Sequence, residues 1–538
     1  MQELSPAQIA QRLHQLTELS VALGDARETG TLLERILRAA QTLTGADGGT
    51  LYRPSADRRS LEFHISVNDS LGLYQGGAGG SRVGMPPVPL ADEHGQPNLG
   101  SVAAWAANRR CPVNIEDVYQ AHGFNFSGMR SFDRQFGYRS QSVLTVPMLD
   151  HEGELAGVLQ LVNAKDPDSG AIRAFSATDQ RFIEALAAQA AVAITNVQLI
   201  AQLEALLESL VNLVNIGIDE KSPHTGRHCQ VVPELTMMLA EAVHETEHGP
   251  LAAFRMSDAD RKELWLAGML HDCGKITTPV HVVDKATKLQ TLFDRIHMID
   301  TRFEVLLRDA EIRALRAKAA GADPAGTDAE WAREAAALRA DREFLRAVNI
   351  GGESMPADDQ RRVRAIAQHR WTGPDGVERC FLDDDEVANL VIRSGTLNEA
   401  ERRIINNHIE MTVRMLESLP WPKHLRNVPE YAGGHHERMD GKGYPRGLTG
   451  EQMSVPARLM AIADIFEALT ARDRPYKKGK TLAESLHILG KFAVNGHIDP
   501  QLFDVFVRRK VYLQFAHKHM DPSQVDEVDE ALIPGYTP

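Results

Sequence analysis

The stretch HHERMDGKGYP, residues 435–445, sets two adjacent histidines and a glutamate directly before a segment that breaks helices. Imidazole is a common metal ligand, whereas the glycines and the proline of DGKGYP favour a loop. We therefore expect His435, His436 and Glu437 at a helix end, followed by a loop in which glycine lets the backbone approach a ligand closely.

Further histidines and aspartates occur in helical contexts after residue 220. The segment HTGRH places His224 and His228 four residues apart, so that both imidazoles lie on one helix face and can share a metal. Asp464 lies in the apolar run RLMAIADIFEAL, where an unpaired charge would be costly. The remaining members of this group follow or lie within helical segments: His271, Asp272 and His408.

Adjacent positions on a helix diverge by about 100°, so His271 and Asp272 are expected to face different metals or to bridge two. A carboxylate can bridge two ions, which makes Asp272 the bridging candidate. Imidazole and carboxylate without thiolate suit Fe, Mn, Ni or Zn, and Fe or Mn is favoured. Two such ions are a common apparatus for phosphoester hydrolysis. Lys275 lies one turn beyond His271, where it would contact the phosphate or protonate the leaving oxygen.

The segment HDCGK (271–275), together with HHERMDGKGYP, resembles the HD-GYP family, a branch of the HD phosphohydrolases, over about residues 205–515. The resemblance implies an all-α domain that degrades cyclic di-GMP to pGpG or GMP, with a loop after the histidines that shapes the pocket mouth. It implies catalytic roles for Lys275, Asp272 and His271. The residues that fall on the family's metal positions are His228, His271, Asp272, His408, His435, His436 and Asp464.

Three further features of this implied site follow from the resemblance. Some family members bind a third metal through a glutamate four residues before the first histidine, and His224 holds that place here. Two or three divalent ions are therefore expected. Arg474 and Lys477, in RPYK, match positions that hold substrate phosphates. Tyr444 is a candidate substrate contact, with a packed tyrosine as the alternative.

One ligand position has two candidates. The segment KLQTLFDRIHMIDTRFEVL partly echoes LNEAERRIINNHIEMTVRML, and each offers a helical histidine, His297 and His408. The distance from His408 to His435 fits the family, so we favour His408.

Residues 15–200 alternate helical and strand patterns and resemble a GAF domain. The resemblance rests on the strands SVLTVPML (142–149) and LAGVLQLVNA (155–164) and on the helix FSATDQRFIEALAAQAAVAI that follows. Asn163, Phe175 and Asp179 match a signature of cyclic-nucleotide-binding members, but Ala164 and Gln180 replace its lysine and glutamate. A GAF fold that dimerises or binds another small molecule is therefore expected.

The domain plan has four parts. Residues 1–182 form the GAF sensor domain, and residues 183–217 form a connecting helix in which apolar residues recur at three and four. We expect this helix to pair with its twin in a homodimer, with burial against its own domain as the alternative. Residues 218–520 form the HD-GYP domain, and residues 521–538 are a tail. An insertion spans 309–396, where residues 309–346 predict a helical hairpin and 371–386 a surface excursion.

The composition excludes several classes of protein. The formal net charge of −14 disfavours a general nucleic-acid binder, so no DNA partner is expected. The four cysteines form no CxxC pair, which indicates a reduced, cytoplasmic protein. The N-terminus lacks signal-peptide order, and no apolar run of 18 residues predicts a membrane span.

The expected fold is multidomain: an α+β GAF domain with an antiparallel sheet and helices, followed by an all-α HD-type domain. The expected function is metal-dependent hydrolysis of cyclic di-GMP, regulated by the GAF domain. Two alternatives stay open. One is a non-catalytic cyclic di-GMP receptor that signals through protein contacts, and the other is hydrolysis of a related cyclic dinucleotide or a nucleoside triphosphate.

Overall fold

The computed structural model describes residues 12, 14, 17, 18, 29–77, 79–81, 84–352, 354–472 and 479–538, and of residues 223–226 it describes the backbone alone. The chain divides into two compact units, Met1–Leu207 and Glu208–Pro538. Each unit is described separately below.

The N-terminal unit is built on one antiparallel sheet. Its strands are β1 (Ala46–Pro54), β2 (Ser60–Asn68), β3 (Leu73–Gly76), β4 (Val88–Pro89), β5 (Val113–Ile115), β6 (Val143–Leu149), β7 (Leu155–Lys165) and β8 (Ile172–Arg173). Six of them form the main path in the order β3-β2-β1-β7-β6-β5, with β4 paired to β2 and β8 paired to β7. The helices are α1 (Thr29–Thr44), α2 (Val102–Arg109), α3 (Ser127–Phe136) and α4 (Ala177–Lys221).

The alternation of apolar residues explains how this sheet packs. Leu159 and Leu161 of β7 join a buried cluster that includes Leu33 and Ile36 of α1, whereas Val158, on the other face of the strand, is buried in a second cluster. The predicted hairpin between β6 and β7 is present, with Val146 opposite Leu159. The sequence prediction of an α+β unit with an antiparallel sheet is confirmed.

The three residues that match the GAF signature support the fold of this unit. Asn163, at φ 57°, accepts a hydrogen bond from the amide of Gln141 at 2.7 Å. Phe175 is buried in the main core. The Asp179 carboxylate accepts a hydrogen bond from Arg173 at 2.6 Å. All three side chains are therefore occupied by contacts within the unit.

Helix α4 is continuous over 45 residues. Its first part packs in the core of the N-terminal unit through Ile183, Leu186 and Ile194. Among the described residues, α4 is the one helix whose length and composition would allow it to cross a membrane. The core helices of soluble proteins meet the same criteria, so this is weak evidence for a membrane span.

The C-terminal unit is predominantly helical. Its helices up to residue 283 are α5 (Pro223–His244), α6 (Asp258–Leu270) and α7 (Val280–Val283), with a 3-10 turn at Cys273–Thr277. The later helices around the site are α12 (Glu399–Glu417), α13 (Val428–Gly433), α14 (Val455–Thr470), α15 (Leu482–Val494), α16 (Pro500–Arg508) and α17 (Val511–His519).

A helical subdomain lies between α7 and α12 in the chain. It contains the antiparallel pair α8 (Ile296–Ala319) and α9 (Pro324–Asn349), then α10 (Ala357–Ala367) and α11 (Asp384–Leu390). Its core begins at Leu289, ahead of the predicted start of the insertion at 309. The predicted surface excursion at 371–386 is wrong in part, because β9 (Arg370–Thr372) and β10 (Glu378–Cys380) pair and Phe381 enters this core.

Candidate metal centre

Five segments of the C-terminal unit bring their imidazoles and carboxylates to one place. Helix α5 carries His228, α12 carries His408 and α14 carries Asp464. Helix α6 ends at Leu270, so His271 and Asp272 lie in the turn that follows it. Helix α13 ends at Gly433, and His435 and His436 follow in a second turn. The prediction that His435 and His436 lie on a helix end is therefore corrected, because α13 ends two residues before His435.

Glycine allows the 3-10 turn to approach α12. A Cβ atom on Gly274 would lie 2.0 Å from the carbonyl oxygen of His408 and 2.6 Å from the amide nitrogen of Thr412. The Gly274 amide instead donates to the Thr412 hydroxyl at 2.9 Å. The glycine of HDCGK is thus required by the contact that places Asp272 beside His408.

Each of four imidazoles has its Nδ1 atom fixed by a hydrogen-bond acceptor. In His271 it pairs with the Gly268 carbonyl at 2.7 Å, in His408 with the carbonyl of Ile405 at 2.5 Å, and in His435 with the carbonyl of Ala432 at 2.6 Å. The Nδ1 atom of His228 lies 2.6 Å from the Glu467 carboxylate. Such partners fix the orientation of each ring and direct Nε2 into the site, as is typical of metal-binding histidines.

The Nε2 atoms of His228 and His271 converge on Asp272. They lie 3.2 Å from each other, and 3.2 Å and 3.3 Å from Asp272 Oδ2. Asp464 Oδ1 is 3.1 Å from His228 Nε2 and 3.9 Å from His271 Nε2. His271 and Asp272 thus lie next to each other at one end of α6. Both side chains face the same first cluster, which we define as His228, His271 and Asp272.

A second cluster consists of His408, His435 and His436. Asp272 Oδ1 lies 3.2 Å from His408 Nε2, whereas Oδ2 faces the first cluster. The single carboxylate of Asp272 therefore has one oxygen at each cluster. The Nε2 atoms of His408 and His435 are buried without a hydrogen-bond partner, which is costly unless a cation binds them. Nitrogen and oxygen donors with such orphaned lone pairs fit divalent transition metals.

The electrostatics of the two clusters differ. Burial lowers the pKa of His436 to about 4, and burial together with the neighbouring His436 holds the pKa of His435 well below its usual value. Both imidazoles are therefore neutral at neutral pH. Burial alone would lower the pKa of His228, but Glu467 and two aspartates raise it well above the usual value. The first cluster thus attracts positive charge.

Lys275 lies beside the first cluster and is already paired. Its Nζ atom is 2.6 Å from Asp272 Oδ2. Burial would lower the pKa of Lys275, but the charge of Asp272 raises it above the ordinary value, so the side chain is an ammonium. The same ammonium, with His271, outweighs burial and keeps the pKa of Asp272 well below its usual value.

The loop after the histidines folds back on itself. Glu437 is buried, and its carboxylate accepts hydrogen bonds from the amides of Arg446 at 2.7 Å and Leu448 at 2.9 Å. A Cβ atom on Gly443 would lie 2.4 Å from the Cα atom of Glu437, so the loop can return this closely only with glycine. The Tyr444 ring stacks on His436 with centroids 4.9 Å apart.

Four predicted residues are not brought to the clusters by the described part of the structure. The side chain of His224 and all of Arg474 and Lys477 lie outside the described residues. His297 is exposed on α8. His408, its rival for one ligand position, is buried in the second cluster.

A groove of about 520 Å³ lies beside Pro445. It is lined by Glu410, Val413, Arg414, Glu417, Ser418, Pro445 and Arg446. Arg446 pairs with Glu417 at 2.7 Å. The guanidinium groups of Arg414 and Arg446 thus lie next to the loop that carries Tyr444.

Sequence reasoning missed two buried carboxylates that support the site. Glu467 lies three residues after Asp464 on α14 and holds His228. Glu263 of α6 accepts from the Asn427 amide at 2.6 Å and so fixes the start of α13, the helix before His435. A glutamate amid the apolar residues of ADIFEALT was the available signal for Glu467.

Comparison with known proteins identifies domain families in both units. Residues 28–194 match the family model described as GAF domain, and residues 225–337 and 385–502 match two models described as HD domain. The chain is therefore a multidomain protein in which a GAF domain precedes an HD region. GAF domains bind small ligands, and HD domains are metal-dependent hydrolases.

The curated relatives cover the HD region. A 3'3'-cGAMP-specific phosphodiesterase 1 of Vibrio cholerae is 42% identical over 119 residues, which are 22% of this chain and 27% of that protein. A cyclic di-GMP phosphodiesterase of Pseudomonas aeruginosa is 40% identical over 119 residues, 22% of this chain and 28% of that protein. The chain thus spans less than a third of the length of these relatives.

Proposed function

We propose that this protein is a metal-dependent phosphodiesterase that hydrolyses cyclic di-GMP to pGpG or GMP. The observation that carries the proposal is the position of Asp272, whose two oxygens face two clusters of imidazoles. The seven ligand candidates His228, His271, Asp272, His408, His435, His436 and Asp464 would hold two divalent ions, with Fe or Mn favoured and Ni or Zn as alternatives.

Each group of the chain has a role that its position supports. Divalent ions, when bound, supply Lewis acidity toward a phosphoryl group and an activated water. Asp272 holds both clusters together, and the Lys275 ammonium neutralises the Oδ2 atom that it contacts. The Tyr444 ring, stacked on His436, forms one side of the entrance for a nucleotide base.

The test is hydrolysis of cyclic di-GMP by protein loaded with Mn²⁺ or Fe²⁺, followed by chromatography of the products. Asp272→Asn removes the bridging charge and is expected to lower turnover at least 100-fold. His297→Ala is the matched control, because this exposed histidine lies outside both clusters. Full turnover by Asp272→Asn would refute the proposal. Binding of cyclic di-GMP without turnover by the wild-type protein would favour the receptor alternative.

A second substrate is supported by the comparisons. A relative at 42% identity is named as specific for 3'3'-cGAMP. We therefore include 3'3'-cGAMP in the assay and compare kcat/KM for the two dinucleotides. A ratio above ten in favour of 3'3'-cGAMP would make it the substrate.

The substrate phosphates need cationic partners. Arg474 and Lys477 remain proposed for this role on the strength of the family resemblance. Arg414 and Arg446 in the groove beside Pro445 are further candidates, because their guanidinium groups border the loop of Tyr444. Arg446→Ala is expected to raise KM several-fold with little change in kcat, because the substitution removes a contact to the substrate phosphate but removes no metal ligand.

Helix α4 is proposed to pair with its twin in a homodimer. Five leucines at four- and three-residue spacing are between 47% and 64% exposed: Leu199, Leu203, Leu206, Leu210 and Leu213. This spacing is the a/d pattern of a two-stranded coiled coil. Leu203→Glu combined with Leu210→Glu is expected to give monomers in sedimentation experiments.

Three finer predictions stay proposals. His224 would add a ligand for a third ion, which metal analysis of His224→Ala would detect as lost stoichiometry. The GAF domain would bind a regulatory small molecule that its sequence does not identify. The cysteine usage supports a cytoplasmic location, which fractionation of cells would test.

A further inference from the structure

The last residue of helix α4 contacts the turn that carries the catalytic candidates. The Lys221 ammonium donates to the Lys275 carbonyl at 3.2 Å and also to the Ile276 carbonyl. Both carbonyls belong to the 3-10 turn Cys273–Thr277 that directly follows Asp272. The contact lies within the C-terminal unit and joins residues 54 and 55 positions apart in the chain.

Carbonyl groups at the end of a short helix lack partners within that helix and carry partial negative charge. A lysine ammonium both donates hydrogen bonds to such carbonyls and neutralises their partial negative charge. In the turn at Cys273–Thr277, the Lys275 carbonyl also accepts the amide of Thr278 at 3.0 Å. Lys221 therefore stabilises the backbone from which the Lys275 side chain reaches Asp272.

The residue after Lys221 makes a second contact with the same stretch of chain. Ser222, the residue before α5, donates its hydroxyl to the Asp284 carboxylate at 2.6 Å. Asp284 directly follows α7, so Lys221 and Ser222 contact both ends of the segment from Lys275 to Asp284. Six residues further on, α5 presents His228 to the first cluster.

We propose that Lys221 is a positioning residue for the Asp272–Lys275 pair. Its ammonium holds the two carbonyls of the turn and thereby keeps Lys275 aligned with Asp272. This inference rests on the proposed function for its effect on turnover, but its structural part does not depend on that function.

The test compares three variants of the full chain. Lys221→Met keeps most of the side-chain volume but removes the ammonium, and Lys221→Arg keeps a cation. Lys262→Met is the matched control, because Lys262 lies in the first half of α6, before the turn, and pairs with Glu208 of α4 at 3.3 Å. Circular dichroism and thermal unfolding confirm that each variant folds.

Two readouts are taken from each variant. We expect Lys221→Met to lower kcat about tenfold with KM changed less than about twofold, since a small misplacement of a reacting group lowers turnover rather than substrate binding. Amide exchange at Lys275 and Thr278 in metal-free protein is expected to become about tenfold faster. Lys221→Arg should recover most of both properties, and Lys262→Met should match the wild type.

Wild-type exchange at Lys275 and Thr278 in Lys221→Met would overturn the proposal, whatever the turnover. An equal loss in Lys262→Met would also overturn it, since the effect would then be general to charges around α4. If the wild-type protein hydrolyses no cyclic dinucleotide, the proposed function fails, while amide exchange at Lys275 and Thr278 still decides the role of Lys221.

Discussion

Replacement of Glu467 by glutamine tests whether the Glu467 carboxylate strengthens the binding of a metal ion by the His228 imidazole. Glu467 lies 2.6 Å from His228 Nδ1, and its charge is the largest influence that raises the pKa of this histidine against burial. The glutamine amide oxygen can still accept the Nδ1–H hydrogen bond, so the ring orientation is kept. The negative charge that makes Nε2 a stronger donor to metal is lost.

The size of the effect follows from the contact. Hydrogen bonds that involve a charged group contribute about 1.5–3 kcal/mol. A tenfold change in a binding constant corresponds to about 1.4 kcal/mol. We therefore expect Glu467→Gln to weaken Mn²⁺ binding about tenfold, and Glu467→Ala, which also frees the ring, to weaken it about 100-fold.

The assay is titration calorimetry of metal-free protein with Mn²⁺. Glu451→Gln is the matched control, since Glu451 is exposed in the short 3-10 turn Gly450–Gln452 and undergoes the same chemical change. A Glu467→Gln protein that binds Mn²⁺ as tightly as the wild type would refute the view that this carboxylate supports a metal ligand.

Three further outcomes are expected. Gly274→Ala should lower the free energy of unfolding by about 2–3 kcal/mol in urea, because its Cβ would lie 2.0 Å from a backbone oxygen, whereas Gly352→Ala has no atom within 4 Å and should lose much less. His408→Ala should reduce bound metal on elemental analysis, and His297→Ala should leave it unchanged, because only the former belongs to a cluster. Hydrogen bonds from two arginines outweigh burial and lower the folded-state pKa of Asp179. The Asp179 carboxylate therefore stabilises the fold above about pH 4, and this stabilisation is lost as the pH falls through the folded-state pKa. Asp179→Asn should make the denaturant midpoint of the N-terminal unit less sensitive to acid.

The order of strands and helices was predictable because it depends on local periodicity. The apolar runs 142–149 and 155–164, separated by the polar turn DHEGE, indicate the hairpin of β6 and β7, and the three-four repeat after residue 186 indicates α4. The segment 371–386 was harder to assign. Its strands are three residues each, and Phe381 is buried only because a distant helical pair covers it.

Residue chemistry and spacing alone indicated which side chains could bind metal, and the resemblance added their roles. His408 and His297 have similar helical surroundings in sequence, so only burial separates them. The expectation that Asp272 bridges two metals stays a prediction, and its two oxygens face different clusters.

The sequence by itself determined the composition of the centre: the imidazoles, the carboxylates and the glycine-rich loop are covalent facts with recognisable spacing. Only the tertiary structure decided the positions and orientations of these side chains relative to one another. It brought Glu467 to His228 across 239 positions and Lys221 to the turn after Asp272. Such contacts join residues far apart in the chain, and no local pattern encodes the close packing of helices that creates them.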